Sequence, residues 1–148
     1  CSSDLAFYLS GEIPRRTAYE VGLPGHMRRA ADGKSWEPDP LLIDERFVTV
    51  RVKHKGQFVF SACSHAGLIN VLRHAQQLLP ETPLYGVMGG MHLSGITEKA
   101  IPETVADLKK FGLGLLAPAT APAGARCPRS RASSATRRSR HRRWASAT

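Results

Sequence analysis

The stretch Gln57–Pro80, "QFVFSACSHAGLINVLRHAQQLLP", decides the reading of the fold. An apolar run over Phe58–Ala62 gives way at once to apolar residues at helical spacing: Leu68, Val71, Leu72, Ala75 and Leu79, with Pro80 as the stop. Between strand and helix stand Cys63, Ser64 and His65. In sheets built from strand–helix–strand units, functional groups collect where strands end and helices begin. A thiol, a hydroxyl and an imidazole therefore sit where such an architecture places its chemistry.

The pattern continues on both sides. Upstream, "LLIDERFVTVRVKHKGQFVFSA" reads as a β-hairpin: Phe47, Thr49 and Arg51 alternate with Val48, Val50 and Val52, and His54-Lys55-Gly56 makes the turn. Downstream, "PLYGVMGG" is a short apolar strand that ends in a glycine pair just before His92. "IPETVADLKKF" is a second helix, with Pro102 in its first turn and Ile101, Val105, Leu108 and Phe111 on its inner stripe. "LGLLAP" is one more buried strand. The expectation is an α/β fold in which strands at about 47–53, 57–62 and 84–88 share a sheet and the two helices cover one face of it. Residues 1–40, punctuated by glycine and proline, read as mostly irregular, with a short strand near Ala6–Leu9.

The chain of 148 residues is long enough for one ordinary domain. No apolar run is long enough to span a bilayer, which argues against a membrane partner. Three scattered cysteines, Cys1, Cys63 and Cys127, make no disulfide framework and point to a reducing, cytoplasmic compartment. The net charge of +9 invites a nucleic-acid partner, but its distribution argues against one. Eight arginines and no acidic residue lie in 118–148, leaving 13 basic and 12 acidic side chains in the first 117 residues. The body is electrostatically ordinary and only the tail is basic.

From the residues alone, three readings of the junction stay open. Cys63 is a nucleophile activated by the helix N-terminus with a histidine as base. Alternatively, His65 and His92, on neighbouring strand ends, hold a metal such as zinc. Or Ser64 caps the helix and His65 is a turn residue.

Four motifs add a resemblance. "GEIPRRTAYE" (11–20), "DPLLIDERFVTVRV" (39–52), "FSACSHAGLINVLRHA" (60–75) and "VMGGMHLSG" (87–95) together resemble one branch of the metallo-β-lactamase-fold hydrolases, the branch named after dihydropterin (ribofuranosyl)aminobenzene 5′-phosphate synthase. The match covers about residues 9–117. It implies a partial αββα sandwich, of which this chain is the C-terminal part, and a metal-dependent hydrolase with two divalent ions, zinc by expectation. It implies a small-molecule, phosphoester-like substrate attacked by metal-activated water. His65 matches a position implied to be a metal ligand, and His92 a characteristic histidine placed at the site. Arg15, in Gly-Glu-Ile-Pro-Arg, suits bidentate binding of a substrate phosphate. On this resemblance Cys63 is expected to be a small apolar residue closing a buried strand, and Ser64 the helix cap.

Two features of that branch are absent. Its His-x-His-x-Asp-His motif lies upstream of Gly-Glu-Ile-Pro-Arg, so those ligands would precede Cys1, and the isolated chain is expected to be inactive. Its closing Pro-Gly-His-Cys-Thr-Gly is replaced after Pro118 by "ATAPAGARCPRS". If Ala119–Cys127 are encoded GCC ACT GCA CCG GCT GGC GCG CGG TGC, one restored G gives Gly-His-Cys-Thr-Gly-Trp-Arg-Ala-Val. The expectation is a one-base deletion after Pro118, so that 118–148 is an out-of-frame, disordered tail with no function of its own. The alternative is a basic nucleic-acid-binding protein acting through that tail.

Overall fold

In a computed structural model, residues 7–43 and 45–119 are described. The proposed frameshifted tail lies, apart from its first residues, outside them. The elements are β1 (Phe7–Leu9), β2 (Met27–Arg29), β3 (Trp36–Pro38), β4 (Phe47–Val52), β5 (Gly56–Ser61), α1 (Leu68–Leu78), β6 (Leu84–Gly89), a 3-10 turn (Gly95–Ala100), α2 (Ile101–Phe111) and β7 (Leu115–Pro118). Five strands form one sheet in the order β1-β4-β5-β6-β7. The β1–β4 and β4–β5 pairs are antiparallel, while β5–β6 and β6–β7 are parallel.

The parallel half follows from the two helical crossovers. Val71, Leu72 and Ala75 of α1 are completely buried against Phe47, Val59 and Val87 of the sheet. Leu108 and Phe111 of α2 pack on the same cluster, and the two helices touch, so both cover one face. Buried Gln57 ties sheet to helix: its amide donates to the carbonyls of Ala75 and Thr82 and accepts from Thr49 Oγ1. Each of its polar groups is partnered, so hydrogen bonds offset the desolvation of the buried amide, which fixes register.

The other sheet face is apolar and open. The register places Phe7 and Leu9 beside Val50 and Val48, Phe60 beside Val48 and Met88, and Leu115 beside Gly86. Phe7 and Leu9 are 68% and 71% exposed, and Phe60, Met88 and Leu115 are each 43% exposed. Contiguous apolar surface of this kind marks a covered or interacting face.

The segment expected to be irregular contains a small hairpin, β2–β3. Asp32 Oδ1 accepts from the backbone N–H groups of Lys34 and Ser35 and shapes its turn. Arg28 pairs with Glu37 across the strands at 2.8 Å, and the Arg29 guanidinium lies 4.8 Å from the Trp36 ring centroid. Among the described residues, no helix is long and apolar enough to cross a membrane.

Candidate metal centre

The carboxyl ends of the parallel neighbours β5 and β6 carry the site. After β5, a tight loop over 62–66 is held by one carboxylate. Glu45 Oε1 accepts from the Cys63 N–H at 3.3 Å and Oε2 from the Ala66 N–H at 2.8 Å. Ser64 adopts φ +58°, a left-handed conformation uncommon for a residue with a Cβ. Its hydroxyl donates to Ser61 Oγ at 2.9 Å. Ser64 therefore does not cap α1, contrary to the sequence expectation.

The cap comes from 49 residues upstream in sequence. Glu20 accepts from the Ile69 N–H at 2.7 Å, the Asn70 N–H at 2.9 Å and Thr17 Oγ1 at 2.8 Å. A carboxylate on the first N–H groups of a helix satisfies donors that have no intrahelical partner and complements the dipole. Burial pushes the Glu20 carboxyl above its ordinary range, against the pull of these hydrogen bonds. Asn70 Oδ1 in turn accepts from the N–H groups of Arg16 and Thr17, so residues 16–20, directly after the Gly-Glu-Ile-Pro-Arg motif, are fastened to the helix start from both sides.

At the end of β6, Gly89 and Gly90 bring the two loops together. Gly89 has φ +150°, and a Cβ there would stand 1.9 Å from the Ser61 carbonyl oxygen; one on Gly90 would stand 2.8 Å from that of Ala62. The Gly90 N–H donates to Ala62 O at 2.9 Å. Only residues without a Cβ permit this approach. Two residues on, His92 has φ +42°, and its carbonyl accepts from Thr97 Oγ1. Two side-chain-bearing residues in left-handed conformations on facing loops mark a place where the surroundings impose backbone strain.

The result is a convergence of three donors. The rings of His65 and His92 meet with centroids 4.5 Å apart and planes at 64°. Cys63 joins them: one ligand atom from each of Cys63, His65 and His92 lies within 4.8 Å of the others. Cys63 and His65 are half-buried and His92 is exposed. Sulfur and imidazole nitrogen are the donors that zinc and its neighbours prefer, so the residues present fit such an ion. Beside them lies a small cleft of about 30 Å³, walled by Tyr19, Leu23, Leu68, Met91 and Leu93.

Arg15 stands behind this loop. Its guanidinium donates to the carbonyl of His65 at 3.2 Å and to that of Leu41. Burial lowers its pKa, while the charges of Glu45 and Glu20 oppose that shift. Sequence reasoning singled out His65, His92 and Arg15; it passed over the supports Glu20 and Glu45 and assigned Cys63 to the strand's apolar side.

The described residues have a mixed α/β architecture similar to part of the metallo-β-lactamase fold. A metal-dependent hydrolase of the β-lactamase superfamily, known as a crystal structure, superposes with a TM-score of 0.63 at 23% identity, covering 77% of this chain and 42% of that one. More particularly, the chain is similar to the 7,8-dihydropterin-6-methyl-4-(beta-D-ribofuranosyl)-aminobenzene-5′-phosphate synthase of Methanocaldococcus jannaschii. The identity is 32% over 62 residues, which is 42% of this chain and 21% of that protein. An uncharacterised protein of the same organism is 29% identical over 102 residues, 69% of this chain and 35% of its own length. The chain thus spans about a fifth to a third of the curated relatives it matches. No protein-family model matches it.

Proposed function

We propose that this chain is the C-terminal part of a metal-dependent hydrolase in which His65 and His92 hold a divalent ion, zinc by the chemistry of the donors. The observation that carries the reading is the meeting of the two imidazoles at the ends of adjacent parallel strands. An ion of this class, when bound, supplies Lewis acidity and acidifies water at neutral pH. The chain's own residues hold and orient. Glu45 fixes the loop that presents His65, the glycine pair brings His92 to it, and the apolar walls of the small cleft limit water beside the imidazoles. Arg15 spends two of its five N–H donors on backbone carbonyls; the others are available to a phosphoryl oxygen of a phosphoester-like substrate.

The open sheet face supports the view that the rest of the sandwich lies elsewhere in a longer protein. Its occupant is a second β-sheet of that protein, packed about 10 Å away over Phe7, Leu9, Phe60, Met88 and Leu115. The structural neighbour is more than twice as long as the part this chain matches, which leaves room for such a sheet. The proposed reading frame agrees with the same geometry. β7 runs parallel to β6 and ends with Pro118 opposite Gly89, so a restored histidine two residues on would follow the strand end beside the site. The out-of-frame tail itself lies almost wholly outside the described residues, as does the basic arm of the nucleic-acid alternative.

The experiment is expression from the gene with its upstream DNA and with one base restored after the Pro118 codon. Zinc-dependent hydrolysis of a p-nitrophenyl phosphodiester is expected from that protein and not from the 148-residue chain. Loss of both bound zinc and turnover in His65→Ala supports the reading. Undiminished turnover in that variant overturns it.

A further inference from the structure

We propose that Cys63 is itself a metal donor, so that Cys63, His65 and His92 make a three-donor site for a single zinc-class ion within this chain. The inference rests on the reading that His65 and His92 bind metal, and it adds a ligand that the sequence had assigned to the apolar side of a strand.

Three observations carry it. The first is reach. A tetrahedral ion with Zn–N about 2.0 Å and Zn–S about 2.3 Å needs N···N near 3.3 Å and N···S near 3.6 Å. The donor atoms already lie within 4.8 Å of one another, so side-chain movements on the order of 1 Å close the site. The second is environment. Cys63 is half-buried and stands apart from the apolar cluster of Phe47, Val59, Leu72 and Val87, whereas a cysteine serving only as a small apolar residue belongs inside such a cluster. The third is preorganisation. The Cys63 N–H is bound by Glu45, the carbonyl of Ala62 by the Gly90 N–H, and Ser64 and His92 are held in left-handed conformations. These contacts fix the two loops at the relative position that brings sulfur to the imidazoles. Three protein donors leave a tetrahedral ion's fourth position to solvent or substrate.

On binding, the metal–sulfur bond forms as the thiol proton leaves to solvent, so uptake of one divalent ion releases one proton from Cys63. No redox change is involved.

The probe is cobalt(II) alone, titrated into the full chain carrying Cys1→Ser and Cys127→Ser, in which Cys63 is the only thiol. A thiolate-to-cobalt charge-transfer band in the near ultraviolet, saturating at one equivalent and bleached by zinc, is expected. The band is expected to vanish in Cys63→Ser. If that variant fails to fold, judged by circular dichroism, the parent's band answers alone, because no other thiol is present. Cobalt bound in equilibrium dialysis and lost with His65→Ala, but without the band, overturns the role of Cys63 and leaves the two-histidine reading standing. No bound cobalt in the parent overturns both.

Discussion

Removing the Glu20 carboxylate tests how the structure positions its candidate site. Glu20→Ala leaves the N–H groups of Ile69 and Asn70 without their acceptor, at residues that are 0% and 1% exposed. Each buried backbone donor left unpaired costs about 1–3 kcal/mol, and helix N-caps removed in isolation cost about 0.5–2 kcal/mol. Part of the loss is recovered because a carboxylate that burial disfavours is also removed. The expected net destabilisation is about 2–4 kcal/mol, read as a lower urea midpoint with unchanged slope for the 148-residue chain. Amide exchange is expected to accelerate first at Ile69 and Asn70, because the fault lies at the start of α1. A shift below about 0.5 kcal/mol, the size typical of an ordinary surface substitution, would refute the assignment of Glu20 as the cap.

Gly89→Ala forces a Cβ to 1.9 Å from the Ser61 carbonyl oxygen at φ +150°; destabilisation on the order of 3 kcal/mol and weakened zinc binding are expected, by urea titration and dialysis. His74 packs edge-on to Phe47, with ring centroids 5.7 Å apart, and burial holds its pKa below the ordinary value. The unfolded chain therefore takes up the proton first, and stability is lost as pH falls from about 6.5 towards the lowered folded pKa. His74→Phe is expected to remove that dependence, a difference below about 1 kcal/mol at pH 5.5 for a residue that is only half-buried as a whole, measured as the change in urea midpoint between pH 7.5 and 5.5. Replacing the exposed Phe60 and Met88 together by threonine is expected to reduce self-association of this chain in sedimentation, with stability changed by less than about 0.5 kcal/mol; undiminished association would locate the sticky surface elsewhere.

What the sequence made legible is what periodicity encodes. The hairpin of β4 and β5, both helices and the strands β6 and β7 lie within a residue or two of the expected bounds, but β7 is largely exposed where a buried strand was expected, and Val105, expected on the inner stripe of α2, is exposed while Thr104 is buried. The β2–β3 hairpin escaped because its strands are three residues long and held by a charge pair, a cation–π contact and an Asx turn, none of which leaves an apolar period. The helix cap was misassigned to Ser64 because the nearest hydroxyl is a good local guess. The actual cap, Glu20, reaches α1 only through tertiary folding, which no short window can show. His65 and His92 were legible as strand-end residues. The place of Cys63 beside them was not, because it depends on the left-handed turn at Ser64 and on the close approach permitted by Gly89 and Gly90.

The central claim is that the ends of β5 and β6 form a metal site. Equilibrium dialysis of the 148-residue chain against zinc at neutral pH, with bound metal quantified by atomic emission, tests it most directly. About one zinc per chain, abolished in the His65→Ala/His92→Ala double variant while circular dichroism is unchanged, is the predicted result. Zinc uptake that is equal in the folded double variant, or absent from the parent chain, would contradict it.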